Sequence, residues 1–275
     1  MPSAGGRDGF LVAASSRLLT PLLAPCASLL AYLVTGARMR ASRRLYKQKR
    51  FDGALAAAES ARLLARTQLG EESPRHEAAL LHLASTHAAL NSDGAALAAL
   101  AEAELLATRL HGAGSLQLVP LCHAQAEVYE ASGQFELAVG ALARARALRR
   151  ETLGPEDIKF AGSCFNQAGL LVRQAGAEAG AARRGALLTQ AAELGVEASV
   201  AAAAAGSAEQ ARGFPEALLE QCLEVDCDAG GEGGTGGEGG EGGEGDQGDQ
   251  GGEGDQGVAV AIELLRARLE DPYSY

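Results

Sequence analysis

Apolar residues along this chain return at helical spacing, and one run of small and large positions comes back every 42 residues. Ala54, Ala96 and Ala138 form one series, Ala57, Ala99 and Ala141 a second, and Ala61, Ala103 and Ala145 a third. Leu64, Leu106 and Leu148 keep the same step, Gly70, Gly112 and Gly154 close each unit, and Leu45, His87, Tyr129 and Leu171 carry it through the preceding segments. Inside a unit the alanines recur at steps of three and four, the stripe of an amphipathic helix. A fixed period in this range marks a solenoid, in which each unit buries its apolar face only by stacking on the next.

The pattern predicts a first helix from about Ala37 that holds Leu45 and Tyr46, a turn over Arg50–Gly53 with Asp52 as its N-cap, and a second helix over Gly53–Thr67. It returns as His76–Leu90 and Ala95–Leu110 around the turn Asn91–Gly94, then as Leu118–Ala131 and Phe135–Thr152 around Ser132–Gln134. A further pair is read at Phe160–Gln174 and Ala181–Leu194, closed by Gly195. Val196–Asp226 is helical by composition, with a break at Gly213–Pro215, and Val258–Leu269 is a short closing helix. The expected fold is all-α: a right-handed solenoid of antiparallel helix pairs with a disordered Gly-rich acidic insert. At the packing positions Ala lets neighbouring helices approach closely, and a larger side chain overpacks by about 1–3 kcal/mol.

The insert is Gly230–Gln256, nine triplets with Gly at every first position, eight acids, no base and no Pro. Without Pro it lacks the support a collagen-like helix needs. Its charge keeps it solvated, and as a coil it spans about 30 Å. Five segments follow: 1–36, an apolar targeting, anchoring or capping segment; 37–195, the repeat array; 196–228, degenerate helices; 229–257, the linker; and 258–275, a short helix and tail.

Charge changes the picture at the N-terminal end. The chain carries a net charge of −11, yet residues 1–51 hold nine basic side chains against one acid, Asp8. An acidic body argues against nucleic acid as a partner, since such binding depends on neutralising phosphates. Leu18–Val34 is an uncharged stretch of 17 residues that contains Pro21 and Pro25, and seven basic residues follow between Arg38 and Arg50. Three readings stay open: a membrane anchor obeying the positive-inside rule, a cleaved organellar transit segment, or an apolar helix capping the first repeat. Membrane association through Leu18–Val34 and a cytoplasmic or an organellar location therefore both stand.

Candidate chemistry is sparse. Five widely spread cysteines are not a disulfide framework, and Cys122 and Cys164 lie one repeat apart, as small core residues would. His82 and His87 are five apart, which does not put two ligands on one helical face, and Cys222 and Cys227 lack a second ligand pair. Asp226 and Asp228 resemble the start of a calcium loop, but its twelfth position is Gly237. No catalytic residue, metal site or cofactor is expected, and no phosphate or dinucleotide fingerprint is present.

Tyr129–Ala145 reads YEASGQFELAVGALARA, which resembles the tetratricopeptide (TPR) consensus. Ala126, Tyr129, Gly133, Phe135, Ala138, Leu142 and Ala145 fall at that motif's packing positions. The 42-residue step, with Leu69-Gly70 and Leu153-Gly154 leading into Pro74 and Pro155, resembles the kinesin-light-chain type of the repeat. The resemblance covers about residues 37–195. It departs at Cys122, where the consensus has Trp, and at Asp93-Gly94, where other units have an aromatic.

This resemblance implies a non-enzymatic scaffold or adaptor that binds a peptide or helix of another protein in a concave groove lined by the first helix of each pair. Carried over, the groove residues are Arg43, Tyr46 and Lys47, then Leu81 and Ser85, then His123, Glu127 and Glu130, and finally Phe165 and Arg173. The family's chaperone-tail clamp uses Lys and Asn where this chain has His123 and Glu127, which argues against a heat-shock chaperone tail. A peptide of mixed polarity engaged by the Arg43/Tyr46/Lys47 end is the expected partner. The alternative is an organelle-imported or membrane-anchored assembly factor on the same scaffold.

Overall fold

Three short backbone signals recur at the same 42-residue step as the alanines and set where each helix stops and starts. The computed structural model describes the backbone of residues 8–230 and 251–271 and the side chains of residues 28–225 and 256–271. The described residues form ten α-helices: α1 (Asp8–Lys47), α2 (Phe51–Leu64), α3 (Pro74–Ala89), α4 (Asp93–His111), α5 (Val119–Ala131), α6 (Phe135–Leu153), α7 (Ile158–Ala177), α8 (Ala181–Ala204), α9 (Ala208–Gly230) and α10 (Gly251–Glu270). A π-turn over Ala65–Leu69 finishes α2, and a 3₁₀ turn over Leu116–Leu118 leads into α5.

The first signal is the turn inside each of the first three helix pairs. Lys49, Asn91 and Gly133 all have left-handed backbones, with φ of 57°, 53° and 73°. The next amide in each case reaches back to close the helix: Arg50 to Leu45 at 3.0 Å, Ser92 to His87 at 2.9 Å and Gln134 to Tyr129 at 2.8 Å. These are Schellman caps, which satisfy carbonyls that the helix end leaves open. They also explain the Leu45/His87/Tyr129 step, since those residues supply the accepting carbonyls.

The second signal is the glycine between pairs. Gly70, Gly112 and Gly154 sit at φ of 98°, 88° and 90° with ψ of 157°, 157° and 164°. That region is essentially closed to residues with a Cβ. The third signal follows three residues later. Ser73 accepts from the His76 amide at 3.2 Å and Asp157 from Lys159 at 2.7 Å, capping α3 and α7, while Ser115 accepts from Gln117 at 3.2 Å and caps the 3₁₀ turn that leads into α5.

Between these signals the small residues go inside. Ala54, Ala96, Ala138, Ala61, Ala103 and Ala145 have no exposed surface, and Ala57 and Ala99 are buried beside them. The described residues divide into two compact units, Met1–Ala113 and Gly114–Tyr275. In the first, α1 pairs with α2 and α3 with α4, while α2 and α1 both touch α3. In the second, α5 pairs with α6, α7 with α8, and α9 and α10 both pack on α8. One of its cores joins Leu171, Val172, Leu187, Leu188, Leu218 and Leu265.

Several sequence expectations are corrected. Asp52 is not an N-cap: the left-handed Lys49 has already reversed the chain, α2 opens at Phe51, and no side chain caps it. Gly195 does not end a helix, because α8 runs on to Ala204. A Cβ there would lie 2.5 Å from Leu218 Cδ1 and 3.2 Å from Leu265 Cδ2, so this glycine is the place where α9 and α10 press onto α8. Gly213–Pro215 does not break α9. Pro215 has no amide to bond the Ala211 carbonyl, and the buried Ser199 hydroxyl donates to that carbonyl instead. Arg268 Nε in turn donates to Ser199 Oγ at 3.0 Å, so α8, α9 and α10 meet in one buried polar chain.

The expected segment boundaries also fall inside helices. α1 is continuous across 36/37, α8 across 195/196, and α10 begins at Gly251 and not at Val258. Gly230 and 251–257 are thus helical ends, while residues 231–250 of the expected linker lie outside the described residues. So do the side chains of residues 18–27, which make up more than half of the Leu18–Val34 stretch. Among the described residues no helix is long and apolar enough to cross a membrane.

Candidate functional site

Of the ten residues named for a groove, five converge on one cavity of about 270 Å³ in the second unit. His123, Glu127 and Glu130 come from α5, and Phe165 and Arg173 from α7. They meet because 123, 127 and 130 step by four and three along α5, as 165/166, 169 and 173 do along α7. Buried Ala126, Leu142 and Gly169 also line it. Asn166 and Gln221 complete the lining.

Those last two were missed in the sequence. Asn166 was legible, since it stands one turn before Gly169 and two before Arg173. Gln221 was not, because the repeat register fades after Gly176 and nothing in α9 marks its facing side.

The electrostatics are uneven. Arg173 grips Glu130 through two nitrogens, Nε to Oε1 and a second contact of 3.2 Å to Oε2. Glu127 has no ion-pair partner among the described residues, and burial, then the neighbouring Glu130 charge, push its carboxyl above the usual range. His123 is held below its ordinary value by burial first and by Arg149 second, so it is neutral at pH 7. Arg149 is itself occupied, donating to Ser163 Oγ at 2.7 Å and to the Lys159 carbonyl at 2.9 Å. Phe165 is fixed from behind by stacking on Phe214, with ring centroids 4.8 Å apart. The cavity therefore presents an aromatic wall, a neutral imidazole and one carboxylate whose charge is unmatched.

The other five named residues lie in the first unit and line no part of this cavity. Arg43 Nε points to His82 Nε2, and Tyr46 meets Phe51 edge-on with centroids 5.4 Å apart. Lys47 is exposed, Leu81 is half-buried, and the Ser85 hydroxyl is spent on the Leu81 carbonyl at 3.1 Å. Burial and the Arg43 charge lower His82 to about 4. Among the described residues no cluster of His, Cys, Asp and Glu is arranged to hold a metal ion. Burial raises the Cys164 and Cys222 thiols to about 12 and about 11, which leaves them inert as nucleophiles near neutral pH.

No family model matches the chain, and no curated protein matches it. Among solved structures it is similar to the nearly identical TPR-like repeats assigned to a Podosopora anserina kinesin light chain, with 20% identity and a TM-score of 0.48 over 70% of this chain and 94% of that one. It is also similar to BtubC (BKLC) from P. vanneervenii, with 12% identity and a TM-score of 0.46 over 79% of this chain and 96% of that one.

Proposed function

We propose that this chain is a non-catalytic protein-interaction scaffold whose second unit takes a peptide or helix of another protein into the α5/α7/α9 cavity. The observation that carries the reading is the convergence there of His123, Glu127, Glu130, Phe165 and Arg173 around an unmatched carboxylate. The walls are built on packed helices, with Phe165 braced by Phe214 and Arg173 by Glu130. Binding then costs mostly the ordering of the partner. A lysine or arginine of the partner fits Glu127, and an apolar neighbour fits Phe165.

The test is selection of peptides from a display library on the full chain, followed by titration of the selected peptide against two variants. Glu127→Lys reverses the unmatched charge and weakens binding by about tenfold or more. Glu151→Lys, an exposed change on α6 outside the cavity, leaves affinity alone. Equal affinities for the two variants would remove the cavity from consideration.

A further inference from the structure

Among the described residues one face of α1 has no partner, and it changes chemistry along its length. Met39 and Ser42 turn inward, Met39 packing with Ala61 and Ala79, and the Ser42 hydroxyl donating to the Ala54 carbonyl at 2.8 Å. On the side turned away, Leu29, Leu30 and Leu33 are 59%, 62% and 56% exposed. The stripe continues from Leu33 through Ala37, Arg40, Arg44 and Lys47 at steps of three and four, all exposed. In the sequence it extends backward through Leu19, Leu22 and Cys26, whose side chains lie outside the described residues.

The basic end is dense and unneutralised. All seven cations between Arg38 and Arg50 are exposed, and among the described residues none pairs with a carboxylate. No acid occurs from Gly9 to Phe51. A partner helix of ordinary composition would cover the leucines and leave these cations crowded. An anionic lipid surface meets both needs: leucines enter the acyl boundary, and Lys and Arg lie among the phosphates.

We propose that α1 is an interfacial helix that seats the first unit on an anionic phospholipid bilayer, with Leu29, Leu30 and Leu33 inserted and Arg40, Arg44 and Lys47 at headgroup level. From Leu29 to Lys47 the helix is about 27 Å long, enough to run along the surface for its whole exposed face. This docking goes beyond the peptide cavity, uses a different unit and fails or holds independently of it.

The experiment is sedimentation of the full chain with vesicles of phosphatidylcholine alone or mixed with phosphatidylserine. The chain follows the mixed vesicles at low salt and partitions about tenfold or more weakly onto phosphatidylcholine. A Leu29→Glu/Leu30→Glu/Leu33→Glu variant and an Arg40→Glu/Arg44→Glu/Lys47→Glu variant each lose about tenfold or more in partitioning onto the mixed vesicles. Because the leucines are exposed, the first variant keeps its circular dichroism melt and its peptide affinity in the second unit. Equal partitioning onto both vesicle types, or undiminished binding by either variant, overturns the proposal. So does a dimer in light scattering that the leucine variant dissolves, since the face then belongs to a second copy.

Discussion

At the scale of single residues, the same chemical change has opposite signs at two glycines, one inside α6 and one just past its C-terminal end. Gly154 holds φ of 90° and ψ of 164°, which a Cβ disfavours, so Gly154→Ala costs about 1–3 kcal/mol. Gly140 is exposed within the helix and an added Cβ there meets nothing, so Gly140→Ala stabilises by about 0.5–1 kcal/mol. Urea denaturation of the two variants checks the pair. Two titrating groups give a second residue-scale prediction. His82 has a folded pKa of about 4 against an ordinary 6.5, so the stability tied to its neutral form is complete above 6.5 and is lost as pH falls towards 4. Glu127 shifts the other way: its folded carboxyl holds the proton more tightly than the ordinary value of 4.5 allows, so its contribution falls as pH rises from 4.5 through its raised pKa. Melting curves across pH therefore show the Tm of His82→Gln gaining on the wild type as pH drops from 6.5 to 4. The Tm of Glu127→Gln gains on it as pH rises from 4.5.

At the scale of helices, what was legible followed from repetition. Three copies of one alanine stripe fix the period and the pairing, because a core position must be small in each copy. The caps were written just as regularly, as Ser73, Ser115 and Asp157, but two residue types at one position hid the step. The left-handed turn at Lys49, Asn91 and Gly133 was harder still, since lysine carries no mark of that conformation. Pro215 misled for a tertiary reason: the donor that keeps α9 going comes from Ser199, on another helix. Removing that hydroxyl in Ser199→Ala leaves the Ala211 carbonyl without a buried donor and costs about 1–3 kcal/mol. In a Pro215→Ala background the restored amide supplies the bond within the helix, and the same substitution costs less than half as much. A double-mutant cycle from thermal or chemical melts measures that coupling.

At the scale of the molecule, sequence reasoning placed ten groove residues on one surface, and the structure separates them into two units. Those in α5 and α7 share a cavity because they sit on adjacent first helices of consecutive pairs, which is what the period encodes. The α9 contribution was illegible, because beyond Gly176 the chain packs by special contacts, Gly195 under Leu218 and Ser199 under Arg268, and not by repetition. The most direct measurement of the central claim is hydrogen exchange of the full chain with and without a display-selected peptide. The account predicts slowed exchange in α5, α7 and α9, centred on residues near Glu127 and Phe165, with little change in α6, which lends the cavity only Leu142, and in α8. Slowing confined to α6 and α8, or none at a saturating peptide concentration, contradicts it.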